Sequence, residues 1–162
     1  MDFYRSDPCP LPTVTAEAPL SASVTLYLRT GAPMAARDRQ GNARARVEAL
    51  ADEGLLPDLD MEEWPSKAIV PNDGPTDPAV ETYDEFADVV AERSDVHLDP
   101  FFEDRPGVGR SDRVVVLPVA CIAVRREGTL TGLYPCWNGG NHEAVEDGLA
   151  ALESGEDVEN LR

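Results

Sequence analysis

The stretch VVVLPVACIAVRREGTLTGLY, residues 114–134, decides the predicted fold. Residues 114–124 form an unbroken apolar run, which predicts one strand buried on both faces at the centre of a sheet. Residues 125–128, with Glu127 and Gly128 at the tip, follow as a hairpin turn. Residues 129–134 then predict a second strand, antiparallel to the first.

The chain before this stretch begins with a strand and a helix. Apolar and polar residues alternate over residues 23–30, which predicts a strand, and apolar residues at helical spacing predict a helix over residues 34–55. Residues 59–70 predict a second strand whose middle is irregular, because Pro65 interrupts it.

A second helix is predicted to begin at the Asp77-Pro78 pair, since Asp77 supplies an N-cap and Pro78 suits the first helical position. Apolar residues at helical spacing make this helix amphipathic, and it is predicted to end near Ser94. Residues 104–113, which contain one proline and two glycines, are predicted to be a loop.

The chain after residue 134 predicts a loop and a last helix. Residues 135–140 read as the loop, and Asn141 can cap the helix that follows. The apolar face of that helix consists of Val145, Leu149 and Leu152.

The domain organisation follows from these elements. We expect an irregular N-terminal tail over residues 1–20, a single domain over residues 21–155 and a frayed C-terminus over residues 156–162. No apolar run reaches the length of a membrane span, and the N-terminus lacks a secretory signal, so we expect a soluble cytoplasmic protein.

The order of these elements resembles the thioredoxin-like fold, with details closer to glutaredoxins. In that family a Cys-Pro-x-Cys motif opens the first helix, a cis proline precedes the central strand, and a Gly-Gly turn opens the final helix. The corresponding positions here are residues 32–35, Leu117-Pro118 and Gly139-Gly140. The resemblance implies an α/β, thioredoxin-like fold, with a mixed four-stranded sheet and helices on both faces.

The sequence departs from that family at the residues that carry its chemistry. Ala32 and Ala35 stand where the two motif cysteines would be, and Asn141-His142 replaces the expected acidic pair. Thiol-disulfide exchange requires a thiolate, which excludes dithiol oxidoreductase activity at this position. We therefore expect no enzyme and no cofactor, but a non-catalytic interaction or regulatory protein that binds a protein or peptide partner.

The resemblance also implies where a ligand would bind. Backbone amides at the start of the last helix would favour a carboxylate or an extended peptide. The implied groove is formed by Ala32, Pro33, Met34, Leu117, Pro118, Gly140, Asn141 and His142.

A second resemblance involves residues 26–33 together with residues 36–40. These segments resemble a group of small uncharacterised haloarchaeal proteins, some of which carry a helix-turn-helix label. That resemblance implies a regulatory role.

The composition points to high salt. Acidic residues outnumber basic ones by 31 to 14, which gives a net charge of −17, and Lys67 is the single lysine. High net charge keeps a protein soluble but strains the compact state by self-repulsion. Molar salt screens that repulsion, so the composition resembles that of proteins from salt-in halophiles.

The arginines of the first predicted helix raise nucleic acid as a partner. Arg39 and Arg46 flank one side of its apolar stripe, and Arg37 and Arg44 flank the other. The net charge and the steep loss of phosphate affinity with salt disfavour direct DNA binding. A transcriptional regulator that contacts DNA through Arg37 and Arg44 is the alternative function.

The cysteines provide a third hypothesis. Cys9, Cys121 and Cys136 are too widely spaced for a zinc motif, and we expect no metal site. Cys121 lies in the apolar run and is expected to be a buried thiol. Cys136 precedes a predicted helix N-terminus, which would lower its pKa, so a thiol-based redox sensor at Cys136 is a further alternative.

Overall fold

A computed structural model describes residues 18–109 and 111–161 of the chain as a mixed α/β domain. Most of the expected N-terminal tail, residues 1–17, lies outside the described residues. In chain order the elements are β1 Ser23–Arg29, α1 Met34–Asp52, β2 Leu59–Trp64, β3 Lys67–Pro71, α2 Pro78–Ala91, β4 Val96–His97, β5 Glu103–Pro106, β6 Ser111–Val116, β7 Ala120–Arg126, β8 Thr129–Tyr134, β9 Cys136–Asn138, β10 Asn141–Glu143 and α3 Val145–Ser154.

The central sheet has four strands in the order β2-β1-β7-β8. Strand β1 is parallel to β2 and antiparallel to β7, with Leu26 opposite Met61 on one side and Ile122 on the other. Strand β8 is antiparallel to β7. The predicted mixed four-stranded sheet is therefore confirmed.

Helices cover both faces of this sheet. Successive residues of a strand point to opposite faces, so Leu26 packs with buried residues of α1 and α3, and Tyr27 packs with buried residues of α2. Asp77 caps α2 as predicted, since its Oδ1 accepts the N–H of Ala79 at 2.9 Å. None of the three helices in the described part is long and apolar enough to cross a bilayer.

The apolar run over residues 114–124 is not one strand, contrary to the prediction. Its first part belongs to β6, which pairs with β3 and β5 in a second sheet, and its last part belongs to β7. Pro118 separates them, because proline has no N–H for a central ladder. The central position is confirmed for β7 alone.

One other strand prediction and one loop prediction are also wrong. The predicted strand over residues 59–70 is divided at Pro65 and Ser66 into β2 and β3, which lie in different sheets. The predicted loop over residues 104–113 contains most of β5 and the start of β6, and the N–H of Gly107 donates to Asp112 O at 3.0 Å between them. Short exposed strands lack the apolar alternation on which the prediction relied.

The predicted hairpin between β7 and β8 is confirmed. Glu127 and Gly128 both have positive φ, 55° and 81°, as a two-residue turn of the type that matches strand twist requires. Thr129–Tyr134 is a strand with the predicted bounds.

The segment over residues 156–161, predicted to be frayed, packs along β8 instead. Val158 and Leu161 are buried, and the N–H of Leu161 donates to Thr131 O at 2.9 Å. The side chain of Asn160 accepts from the N–H of Leu133 and donates to its carbonyl. The last described residues thus cover one edge of the central sheet.

Candidate functional site

Two of the four α1 arginines are used to attach α1 to α3. Arg39 makes a two-bond ion pair with Glu146, with Nε 2.6 Å from Oε2, and Arg46 makes a second with Glu153, with Nε 2.8 Å from Oε2. The residues of the second pair lie seven positions after those of the first on both α1 and α3, so the two helices run in the same direction. The hydrogen bonds from Arg39 lower the pKa of the Glu146 carboxyl below its ordinary value. These two arginines are therefore structural.

Arg37 and Arg44 are exposed and make no ion pair with any described residue. They lie seven residues apart on α1, about 10.5 Å along the axis, and within roughly 20° of one another around it. Gly41 lies between them, and a Cβ added there would meet nothing within 4 Å. The exposed side of α1 thus presents two guanidinium groups on a face that partner groups can approach closely.

Leu117 and Pro118 of the predicted groove lie near the end of β1. Arg29 Nη1 donates to Leu117 O at 3.4 Å, and the N–H of Arg29 donates to Val119 O at 2.9 Å. The loop that contains Leu117 and Pro118 therefore lies beside the end of β1, from which residues 32–34 lead into α1. Ala32 is buried, whereas Pro33 and Met34 are exposed. The peptide bond before Pro118 is trans, and the cis peptide bonds among residues 18–109 and 111–161 precede Pro100 and Pro135.

The second half of the predicted groove has a different structure. Gly139 and Gly140, with φ of 59° and 84°, form the turn of a hairpin between β9 and β10 and do not open the last helix. Asn141 and His142 belong to β10, and the N-cap of α3 is Ala144. Among described residues, no hydrogen bond, ion pair or ring contact joins Gly140, Asn141 or His142 to residues 32–34. Gly140, Asn141 and His142 therefore do not supply helix N-terminal amides to the implied site.

Cys136 is fully buried in the core, which contradicts the predicted low pKa. It lies in β9, nine residues before α3, so the helix dipole does not act on it. Burial, with a smaller contribution from the charge of Glu143, raises the pKa of the Cys136 thiol to about 12. Burial likewise raises the pKa of Cys121, as expected for an inert core thiol.

An exposed aromatic side chain for which the sequence predicted no role lies on the same hairpin. Trp137 in β9 lies directly opposite His142 in β10 and His97 in β4. The signal was present, because a Gly-Gly pair between two short segments is a two-residue hairpin pattern. The hairpin was not predicted because Asn141 was assigned to the start of a helix.

No group of three or more His, Cys, Asp or Glu side chains in residues 18–109 and 111–161 could hold a metal ion.

Comparison with known proteins gives one family. A family model described as a helix-turn-helix domain matches residues 16–157. No curated protein and no solved structure matches the chain. Within the described residues, strands separate α1 from α2 and α2 from α3, so no two successive helices are joined by a short turn.

Proposed function

The chain belongs to this helix-turn-helix domain family, and from that membership we propose that it is a regulatory protein that binds DNA through Arg37 and Arg44 of α1. The observation that carries the proposal is that the four α1 arginines fall into two classes, one that forms ion pairs with α3 and one that does not. Arg39 and Arg46 are paired with carboxylates of α3, whereas Arg37 and Arg44 have no such partner in the described part of the chain. A guanidinium that is not neutralised locally can bind a phosphate.

The net charge of −17 limits the strength of this binding. The overall field repels DNA, so contact depends on the local field of the two arginines. Two phosphate contacts give a slope of log affinity against log salt of roughly −1.8. We therefore expect weak, sequence-independent binding by α1 alone, with specificity supplied by other contacts.

The test is fluorescence anisotropy of a labelled mixed-sequence duplex of about 20 base pairs, titrated with the full chain over a series of salt concentrations. Arg37→Ala and Arg44→Ala should each reduce the salt slope by roughly 1. Arg105→Ala is the matched control, because Arg105 is a half-exposed arginine on β5 that lies 3.8 Å from Glu103. It removes the same charge from a different surface.

Two results contradict the proposal. An equal loss of affinity in Arg105→Ala and in the α1 variants would show that net charge alone controls binding. A wild-type chain that does not bind the duplex even at low salt would exclude DNA as the partner of α1.

A second candidate function is the non-catalytic binding of a protein or peptide by a thioredoxin-like domain. Its support is the strand order β2-β1-β7-β8 with α1 and α3 on one face and α2 on the other, which is the arrangement expected of that fold. Ala32 and Ala35 lie where the fold would carry its cysteines, so this reading includes no enzyme activity. If Arg37→Ala and Arg44→Ala abolish DNA binding but the variants still bind a protein partner, the two candidate functions are separate.

The proposal also states where the protein works and at what salt concentration. A DNA-binding regulator works in the cytoplasm, and the excess of carboxylates suits a cytoplasm with molar salt. If so, the free energy of unfolding should rise between about 0.2 M and about 2 M KCl as self-repulsion is screened. A free energy of unfolding that falls with KCl contradicts the halophilic part.

A further inference from the structure

The three-stranded sheet β10-β9-β4 has one buried face and one exposed face. Val96 and Cys136 lie on the buried face and belong to the core. His97, Trp137 and His142 lie on the other face and are exposed. His97 and His142 are each the direct cross-strand neighbour of Trp137, and they are the two histidines of the chain. These three side chains are called the aromatic row below.

Ring contacts orient two members of this row, His142 and Trp137. The His142 ring stacks on Phe101 with centroids 4.6 Å apart and planes 19° apart, and on Trp137 with centroids 6.4 Å apart and planes 18° apart. Trp137 nevertheless remains 38% exposed. In the described part of the chain it is the one aromatic side chain among the exposed large apolar residues. An oriented, exposed tryptophan presents a flat π-face to a ligand.

The charges around the row are negative. Asp95 and Asp99 flank His97, both are exposed, and neither has an ion pair with another described residue. The nearest arginine along the chain, Arg93, donates Nη1 to Leu161 O. A phosphate would be repelled here, whereas a cation would be attracted both by the carboxylates and by the indole ring.

An open groove begins at His97 and continues between α2 and β4. Its volume is about 270 Å³, and its lining includes the apolar Val90, Val96 and Leu98 together with Asp99 and Arg93. Pockets for small molecules usually measure about 300–1,000 Å³. This groove is below that range and suits a single side chain of a larger partner.

We propose that the aromatic row binds an arginine of a basic segment in a protein partner. The guanidinium lies over the Trp137 ring, the charges of Asp95 and Asp99 on either side of His97 attract it, and the next side chain of the segment enters the groove. Arginine fits better than lysine because its planar, weakly hydrated group stacks on an aromatic face. This surface is independent of Arg37 and Arg44 and goes beyond the proposed DNA contact.

The test uses the full chain and a short Gly-Ser peptide that contains two arginines, titrated by isothermal calorimetry at about 0.2 M and about 2 M KCl. Trp137→Ala should weaken binding roughly 5- to 20-fold, and Trp137→Phe should weaken it less. Ile69→Ala is the matched control, since Ile69 is an exposed apolar residue of β3 in another sheet. A peptide with lysines in place of the arginines should bind more weakly.

The double variant Asp95→Asn, Asp99→Asn separates the attraction by the carboxylates from the attraction by the Trp137 ring. It should weaken binding at the lower salt concentration and have little effect at the higher one, where the carboxylates are screened. Equal affinity of wild type and Trp137→Ala, provided both unfold cooperatively, overturns the proposal. Equal losses in Trp137→Ala and Ile69→Ala also overturn it, as does tighter binding of a single-stranded oligonucleotide than of the arginine peptide.

Discussion

Arg46 of α1 and Glu153 of α3 face each other as an almost fully buried ion pair, with Nε 2.8 Å from Oε2. About two helical turns earlier, Arg39 and Glu146 form an ion pair of the same kind, with about two fifths of each side chain exposed. The two pairs have the same geometry and differ in their solvent exposure.

Glu153→Ala should lower the free energy of unfolding by about 3–5 kcal/mol, because it leaves the buried guanidinium of Arg46 without a counter-charge. Glu146→Ala should cost about 0–1 kcal/mol, since water solvates the half-exposed Arg39. Urea denaturation of both variants measures the difference. Equal losses would show that burial of the second pair is not what stabilises the α1–α3 contact.

Gly148→Ala should destabilise the protein by about 1–3 kcal/mol. A Cβ at this position in α3 would lie 2.8 Å from the ring of Tyr134, which is buried between α3 and the sheet. Gly41→Ala is the matched control on α1, where a Cβ meets nothing within 4 Å. There the helix propensity of alanine should stabilise the protein by about 0.5–1 kcal/mol. Thermal unfolding of the two variants should shift in opposite directions.

Alkaline pH should destabilise the fold through Cys136. Burial raises the pKa of this thiol to about 12, whereas an unfolded thiol titrates near about 8.5. Between these values the unfolded chain binds fewer protons than the native one, so the free energy of unfolding falls by up to about 1.4 kcal/mol per pH unit. Below about pH 8.5 both states hold the proton and this group makes no difference.

Cys136→Ala tests that pH dependence. Its unfolding free energy should fall less steeply above about pH 9 than that of the wild type, whatever the constant cost of the substitution. In a Cys9→Ala background, native protein should also resist alkylation at neutral pH, because the remaining thiols are buried and protonated. Rapid alkylation of Cys136 would revive the thiol-sensor hypothesis.

Asn160→Ala should cost about 1–3 kcal/mol. Its side chain satisfies both backbone groups of Leu133, at 2.8 Å and 3.0 Å, on the edge of β8. Asn72→Ala is the control, because Asn72 makes a single exposed hydrogen bond to Gly109 O. Equal, small effects in chemical denaturation would contradict the role assigned to the segment after α3.

The parts of the fold that the sequence predicts are those with a local signature. The helix over α1, the Asp77 cap and the Glu127-Gly128 turn each depend on a few neighbouring residues, and the structure has all three. The continuous apolar run failed as a guide, because apolar residues on both sides of Pro118 serve different sheets. Hydrophobic periodicity predicts which residues are buried, but it does not predict which strand a segment pairs with.

The candidate sites show the same limit. Helical spacing divided the α1 arginines into two flanking pairs, but only the structure shows that Arg39 and Arg46 are paired with α3. The groove implied by family resemblance needed Gly140 at a helix start, and a hairpin occupies that place. The sequence predicted no role for Trp137. His97, one of its cross-strand neighbours, is distant along the chain, and His142, the other, was wrongly assigned to the start of a helix.

Val158 completes the core beneath α1 and α3, and Leu161 completes the core beneath α2. In the same way, Leu26 acquires its antiparallel partner only when Ile122 is present. On the ribosome, β1, α1 and β2 are therefore made long before the surfaces that shelter them. Until β7 is made, the nascent chain carries β1 without its antiparallel partner, and an unpaired apolar strand edge is prone to aggregation.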